Sequence, residues 1–380
     1  MDIAVIAAER GGFVRAAPLL AELRARAARV GAQHAAPVHF VFAGEEYVSH
    51  ANSDLFRDLG LPYADVVIGA SEGTPAQRLA KVMAGCERLA GARERGAIIL
   101  VGASHTILGC AVACARSHAL VAHAEAGLRA PGIAGRTSLA ARIDRACGLL
   151  FAPSEQARDQ LLDEGASAEA VALTGSLCGD AISRCLDRAR ADDAPARAGL
   201  EPKAYALAVI ESPHNIEHLG NLRKLVELLK RVQERLPVAL SSHAPLARRL
   251  QAWGLAQVVS GLPSVEPLGY VDYLSLLDSA RLVLTDVGEV QEEAAFLGVP
   301  CLTVAETTDR AATVDRGGNL LVGLDAGLAV QAVEALVTNE YVAPPFPNPD
   351  SSGRPAAWDG GASARIAEFL LQAAQRRAQP

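Results

Sequence analysis

The chain has 380 residues, 50% of them hydrophobic, and a formal net charge of −7. That length exceeds one ordinary core and suits two domains. The acidic balance and the lack of a basic block argue against nucleic acid or an anionic membrane as the main partner. No run reaches the ~18 apolar residues of a membrane-spanning helix.

In chain order, DIAVIAA (2–8) reads as an apolar strand that runs into a Gly-Gly turn and the helix FVRAAPLLAELRARAARVG. VHFVFAG (38–44) is the next strand, followed by a polar helix, ADVVIGA (64–70) and the long helix QRLAKVMAGCERLAGARER. AIILVGA (97–103), a helix around CAVACARS, ALVAHAEA (119–126) and GLLFAPS (148–154) continue the alternation. Unbroken apolar strands between helices predict a parallel sheet covered on both faces, hence a Rossmann-like domain. The pattern restarts with EAVALTG (169–175) and the helix DAISRCLDRARA, and DDAPARAGLEP (192–202) reads as a loop. YALAVIE (205–211), the helix NLRKLVELLKRVQERL, PVALSS (237–242), QVVSG (257–261), RLVLTD (281–286) and PCLTVAE (300–306) predict a second sheet. The Pro-, Gly- and Ser-rich stretch 343–363 reads as an irregular connection, and SARIAEFLLQAAQRR as a closing helix. The predicted fold class is α/β, with two Rossmann-like doubly wound parallel-sheet domains facing across a cleft.

Seven cysteines occur, none in a CxxC pair, and most sit in apolar runs, as expected of reduced thiols in a cytoplasmic protein. Cys110 and Cys114 share a helix face, but no nearby His completes a zinc set, so no metal is expected. The opening MDIAVIAAERGG lacks the basic region and apolar length of a signal peptide.

Four loops carry polar residues at predicted strand ends, where ligands of α/β sheets bind. AERGG (8–12) places glycines at a helix start, which suits a phosphate, with Arg10 to pair with it. It is not GxGxxG, and a plain tight turn explains it as well. HAEAGLR (123–129) places His123, Glu125 and Arg129 at the end of a buried strand, where charges must be paired or used. The bland alternative is a structural pair of Glu125 with Arg129 at helical spacing. ESPHNIEH (211–218) offers Glu211 and His214 as acid or base, against a capping role at a helix start. TDVGEVQEEAAFLGVP (285–300) ends a strand in Thr-Asp and opens a helix with Glu292 and Glu293. One of these carboxylates suits the helix N-terminus, the other a ribose diol, and amides around Gly288 suit a diphosphate.

These loops, with TTDR (307–310), resemble the UDP-N-acetylglucosamine 2-epimerase family over nearly the whole chain. HAEAGLR stands where the family has HxEAGLR. GLLFAPSEQARDQLLDEG resembles a second hallmark, with Thr174-Gly175-Ser176 where the family continues with Gly-Asn. The stretch EPLGYVDYLSLLDSARLVLTDVGEVQEEAAFLGVPCLTVAETTDRAATVDRGGNLLVG is similar to the carboxy-terminal signature. The resemblance implies a GT-B architecture whose last helix crosses back to the first domain: 1–172 with 363–380, and 173–362. It also implies a UDP-sugar of the N-acetylhexosamine type as ligand, no cofactor, and a homodimer. The family's reaction takes the C2 proton while UDP leaves C1, and readdition to the glycal inverts C2.

Carried over residue by residue, the resemblance makes Glu125 a catalytic carboxylate. Arg10 matches the arginine of a GTRPE loop, and Arg15 replaces its lysine. Asp286, Gly288, Glu293, Thr308 and Arg310 match nucleotide-binding positions. Departures are as clear. The family's aspartate of a GD(T/S) loop is Ala103 here, with His105 nearby as a partial substitute. Its PEExNR motif aligns with Arg136-Thr137-Ser138-Leu139-Ala140, and both charges are gone. The catalytic histidine of HRxEN is Glu211, TDSGG is TDVGE with Glu289 beside the phosphates, and a QH pair is Gly44-Glu45. Two readings stand. One is a divergent enzyme with Glu125, Glu211, His214 and His105 as its acid/base groups, performing epimerisation, transfer or hydrolysis. The other is an inactive paralogue that binds a nucleotide sugar or regulates a homologue; a ligand without a diphosphate is a weaker third.

Overall fold

The computed structural model describes residues 1–29, 37–44, 50–69, 72–93, 96–132, 137–241, 243–265, 269–315, 318–338 and 357–378. Glu45, Arg136 and most of the stretch 343–363 lie outside the described residues.

The first unit spans Met1–Arg184 and Pro355–Pro380. Its sheet has seven parallel strands, β1 (Ile3–Ala7), β2 (Val38–Ala43), β3 (Val66–Ile68), β4 (Ala97–Val101), β5 (Leu120–Ala124), β6 (Leu149–Ala152) and β7 (Val171–Leu173). They lie in the order β3-β2-β1-β4-β5-β6-β7. β1 is the hinge of this order: Ile3 is in register with Val38 of β2 on one side and Ala97 of β4 on the other. Alternate residues of β1 serve opposite faces. Ala4 and Ile6 pack with Val82, Cys86, Leu89, Ile107 and Cys110 of the helices Pro75–Gly91 and His105–Cys114. Both faces are covered, so the strands read as solid apolar runs.

The closing helix, Ala362–Ala378, belongs to this unit for identifiable reasons. Asp180 accepts from the amides of Ala362 and Ser363 at 3.0 and 2.8 Å, satisfying two donors of the helix start. The Trp358 indole donates to the Pro153 carbonyl at 2.8 Å, and Arg26 donates to the Ala364 carbonyl at 3.2 Å.

The second unit, Cys185–Arg354, holds a six-stranded parallel sheet. Its strands are β8 (Ala206–Val209), β9 (Val238–Ser241), β10 (Ser264–Val265), β11 (Leu282–Thr285), β12 (Cys301–Thr303) and β13 (Asn319–Leu321), in the order β10-β9-β8-β11-β12-β13. Leu282, Leu284, Ala206 and Ala208 face the helices Leu219–Gln233 and Ala326–Val337, while Leu207, Val209 and Val283 face Tyr270–Ser279 and Gly288–Leu297. Two Rossmann-like units with a C-terminal helix returned to the first make this a GT-B-type chain. β7 pairs with β6, so the sheet keeps it with the first unit, and the division falls after Arg184 rather than at 172.

Three local expectations change. QVVSG is not a strand: Ala256–Val259 is a helical turn, and the strand follows at Ser264–Val265. Leu255, Val259 and Leu262 recur at helical spacing and pack on one core, which outweighs the local β preference. The loop 192–202 contains a short helix, Ala194–Arg197, whose first amide donates to Asp192. β13 joins the sheet edge through pairing with β12, after a Gly-Gly that masks it in the sequence.

Six of the cysteines are buried and Cys147 is partly so; all are free thiols. Burial pushes the Cys301 thiol up to about 12. Among the described residues, no helix is long and apolar enough to cross a membrane.

Candidate functional site

Each sheet reverses its strand order between two neighbours, β1 and β4 in the first, β8 and β11 in the second. That switch point is where open α/β sheets bind ligands. The predicted loops sit at or beside these points.

In the first unit, Arg10, His105 and Glu125 follow the adjacent strands β1, β4 and β5. Arg10 opens the helix Arg10–Arg29 and is half-buried. Arg15 lies one turn further on and is 4% exposed. Gly12 lets this helix come close to the sheet, since a Cβ there would lie 3.1 Å from the Val101 carbonyl oxygen. His105 is exposed at the start of a helix whose cap is Ser104, and the neighbouring Ala103 is exposed too.

Glu125 is the most distinctive residue of this unit. Its φ of 64° is left-handed, a conformation shared among non-glycine described residues only by Lys203. An L-residue held there costs of order 1–3 kcal/mol, and such strain clusters at functional positions. Its side chain is buried, and the Leu177 amide, at the first turn of the helix Leu177–Ala191, donates to Oε1 at 2.7 Å. A helix N-terminus favours the ionised carboxylate.

A buried ionic network holds this turn. His123 Nδ1 lies 2.5 Å from Asp144 Oδ1, and Nε2 lies 3.1 Å from the Gly102 carbonyl oxygen. The other Asp144 oxygen accepts from the Gly127 amide at 3.1 Å and from Arg129 at 2.7 Å. Arg129 also makes a two-pronged pair with Glu164, both contacts at 3.0 Å. Burial raises the Asp144 pKa, but His123 and Arg129 outweigh it and hold the carboxyl below its ordinary value. The alternative of a helical pair between Glu125 and Arg129 is not what the structure has: Arg129 pairs with Asp144 and Glu164. Residues 125–127 are a turn, so the four-residue spacing is not that of a helix.

Gly127 makes the turn possible. Its φ is 84°, and a Cβ would stand 2.2 Å from the Ala157 carbonyl oxygen. Gly127→Ala is therefore expected to destabilise the protein by at least about 1–3 kcal/mol, read as a lowered thermal midpoint. The segment aligned with PEExNR is, in its described part, a helix start capped by Ser138, whose hydroxyl accepts from the Ala141 amide.

In the second unit, Glu211, Asp286, Thr308 and Arg310 follow β8, β11 and β12, which are neighbours in the sheet. Asp286 braces the Glu211 loop: Oδ1 accepts from the amides of Glu211 and Ser212 at 2.8 and 3.1 Å, and Oδ2 from Asn215 at 2.7 Å. Burial raises its pKa against the lowering effect of these donors. Glu211 and His214 are exposed, and the His214 ring contacts Asn221.

The helix Gly288–Leu297 begins at its N-cap Val287, whose side chain makes no cap bond. Glu293 is 4% exposed; Tyr270 and Tyr273 donate to its two oxygens at 2.9 and 2.6 Å. These two bonds orient the carboxylate, whose oxygens offer about four acceptor sites in all. Thr308 donates to Gln291 at 2.7 Å and accepts from the Arg310 amide at 3.0 Å. Gln291 also accepts from Asn319, which bonds Thr303 and Thr313, and Thr313 donates to the Arg310 carbonyl. This buried polar web fixes Arg310. The guanidinium lies 2.9 Å from Glu292, 2.8 Å from Asp309 and 3.8 Å from Glu289.

Sequence reasoning missed Asp144, Tyr270, Tyr273, Gln291 and Asn319, whose roles come from contacts distant in the chain. It also missed His243, which follows β9, next to β8 in the sheet. Its Nδ1 is buried without a hydrogen-bond partner among the described residues, and burial lowers its pKa. The signal was available: SSHAP repeats the pattern of a polar residue just past an apolar strand.

Comparison with known proteins follows the same lines. The profile of the family described as UDP-N-acetylglucosamine 2-epimerase matches residues 29–371. A UDP-N-acetylglucosamine 2-epimerase of Methanocaldococcus jannaschii is 28% identical over 315 residues, covering 80% of this chain and 85% of the relative. A UDP-2,3-diacetamido-2,3-dideoxy-D-glucuronate 2-epimerase of Pseudomonas aeruginosa is 27% identical over 338 residues, covering 87% and 90%. The solved structure of the Methanocaldococcus jannaschii UDP-GlcNAc 2-epimerase, in complex with UDP-GlcNAc and UDP, superposes with a TM-score of 0.83 at 25% identity, covering 98% of this chain and all of the other.

Proposed function

Since the chain belongs to the UDP-N-acetylglucosamine 2-epimerase family, we propose that it acts on a UDP-linked 2-acetamido sugar by breaking the bond between C1 and the diphosphate, with epimerisation at C2 as its reaction. The observation that carries this reading is Glu125, a carboxylate kept in left-handed backbone at a strand end by a dedicated buried network. Strain of that kind persists only where the surroundings over-determine it.

The chemistry assigns the steps. A base takes the C2 proton, the C1–O bond breaks, and its electron pair leaves with UDP, giving a glycal. Readdition of the proton to the opposite face, with UDP returning to C1, yields the epimer. Glu125 is the carboxylate of choice for proton transfer, with His105 as a candidate acid or base in the first unit and Glu211 and His214 as candidates in the second. Arg10, Arg15 and Arg310 supply positive charge for phosphate, and Glu293 with its tyrosines suits a ribose diol. Asp286 and Thr308 serve this reading as positioning residues, bracing the Glu211 loop and Arg310. Gly288, having no side chain, lets the Arg310 guanidinium come close to the helix start, so that both can serve one phosphate. A homodimer belongs to the same proposal, as does a cytoplasmic location, which the free buried thiols support.

A second reading, a protein that binds the nucleotide sugar without turning it over, draws on the exposed Ala103 at the end of β4 and the carboxylates around Arg310. Proton NMR of UDP-GlcNAc with the protein in D₂O separates the two. Deuterium entering C2 supports the epimerase reading; release of UDP without exchange points to hydrolysis or transfer. Binding without either supports the second reading, and the absence of binding overturns the UDP-GlcNAc assignment.

A further inference from the structure

Arg310 is held at the start of the helix Gly288–Leu297 by the second unit's buried polar web, and its surroundings are unusual for a phosphate-binding arginine. The guanidinium packs directly over the helix start, since a Cβ on Gly288 would lie 3.1 Å from its Cζ. It is 6% exposed and lies 2.9 Å from Glu292, which is 1% exposed, so that pair already balances its charge inside the protein. Asp309 at 2.8 Å, 43% exposed, and Glu289 at 3.8 Å, 35% exposed, stand at the rim. Three carboxylates thus stand within 4 Å of this guanidinium.

An acidic residue in the first turn of a helix is ordinary, because the helix N-terminus favours it. Glu289 differs because it stands where a bound phosphate would, in the first turn of a helix whose N-cap gives no side-chain bond and 3.8 Å from Arg310 Nη2. We infer that Glu289 is a built-in competitor of the diphosphate, occupying the anion-attracting end of Arg310 and setting how tightly the second unit holds a nucleoside diphosphate. Binding then requires the Glu289 carboxylate to swing out to solvent, which its exposure permits. The inference rests on the proposal that this unit binds UDP.

UDP is the probe, and isothermal titration of the full-length protein is the measurement. Glu289→Gln keeps the size and removes the charge on a half-exposed side chain, so folding is not at stake. It is expected to bind UDP about tenfold more tightly at low salt, because like charges held side by side disfavour association. The gap is expected to narrow with added salt, as screening shortens the reach of the repulsion. Asp309→Asn provides a second variant, expected to act in the same direction. Equal affinities of wild type and Glu289→Gln overturn the inference and leave UDP binding standing. Weaker binding by Glu289→Gln overturns it as well, since Glu289 is then a ligand contact. Failure of wild type and both variants to bind UDP overturns the proposed function and this inference with it.

Discussion

Glu125→Gln is expected to lower the rate of deuterium exchange at C2 of UDP-GlcNAc by roughly 10²–10⁴, the usual contribution of a positioned acid or base. The amide oxygen of glutamine can still accept from the Leu177 amide, so the fold is kept. Replacing a charged acceptor by a neutral one costs about 1 kcal/mol of stability, which leaves the thermal midpoint close to that of wild type. Binding of UDP is expected to be unchanged, because every group assigned to the nucleotide in the second unit is untouched. The decisive comparison is rate against midpoint. A large loss of exchange at a preserved midpoint assigns the proton transfer to Glu125. Wild-type exchange in the variant would instead make Glu125 a helix-start anchor, with its strain serving architecture alone.

Asp144→Ala is expected to have the largest effect on stability. It removes the partner of His123, the acceptor of the Gly127 amide and one of the two carboxylates of Arg129 at a stroke. Breaking a buried ionic pair by deleting one member costs about 3–5 kcal/mol, because the other charge stays buried and uncompensated. That is a large share of the ~5–15 kcal/mol that holds a typical protein folded. Asp144→Asn keeps the volume and some acceptor capacity, and is expected to lose less. Urea titration followed by circular dichroism reads both.

The same network sets the acid limb of stability. Asp144 and Glu164 have folded-state pKa values below their ordinary 3.8 and 4.5, with burial opposing and Arg129, with His123 for Asp144, prevailing. A depressed carboxyl pKa means the unfolded chain takes up protons first as pH falls. The stability they contribute is complete above the unfolded values and is lost as pH drops through the folded ones. Wild type is therefore expected to lose stability steeply below about pH 4, and Asp144→Ala to show a shallower fall, having less to lose.

Much was legible in the sequence. Apolar strands between helices announced parallel sheets, because a strand buried on both faces has no polar side to alternate. Thr-Asp, Glu-Ser and His-Ala-Glu at the ends of such runs marked the carboxyl ends of the strands, the edge at which this class of fold binds ligands. HAEAGLR and the stretch around TDVGEVQEEA carried the family. Local pattern was less reliable where an apolar segment was short: QVVSG fits a strand in isolation, and only the core that Leu255, Val259 and Leu262 share makes it a helical turn.

What the sequence by itself determined was the class of fold, the family and the identity of the polar loops, because hydrophobic period and strand-end chemistry are local properties. Which charges pair was decided by tertiary structure alone. Arg129 sits four residues from Glu125 in the chain yet pairs with Asp144 and Glu164, because a left-handed turn replaces the helix that the spacing suggests. Glu293 is oriented by tyrosines twenty or more residues away, and Arg310 reaches back to Glu289 and Glu292. Ionic partners are chosen by distance in a buried, weakly screened space, and folding sets that distance independently of separation along the chain.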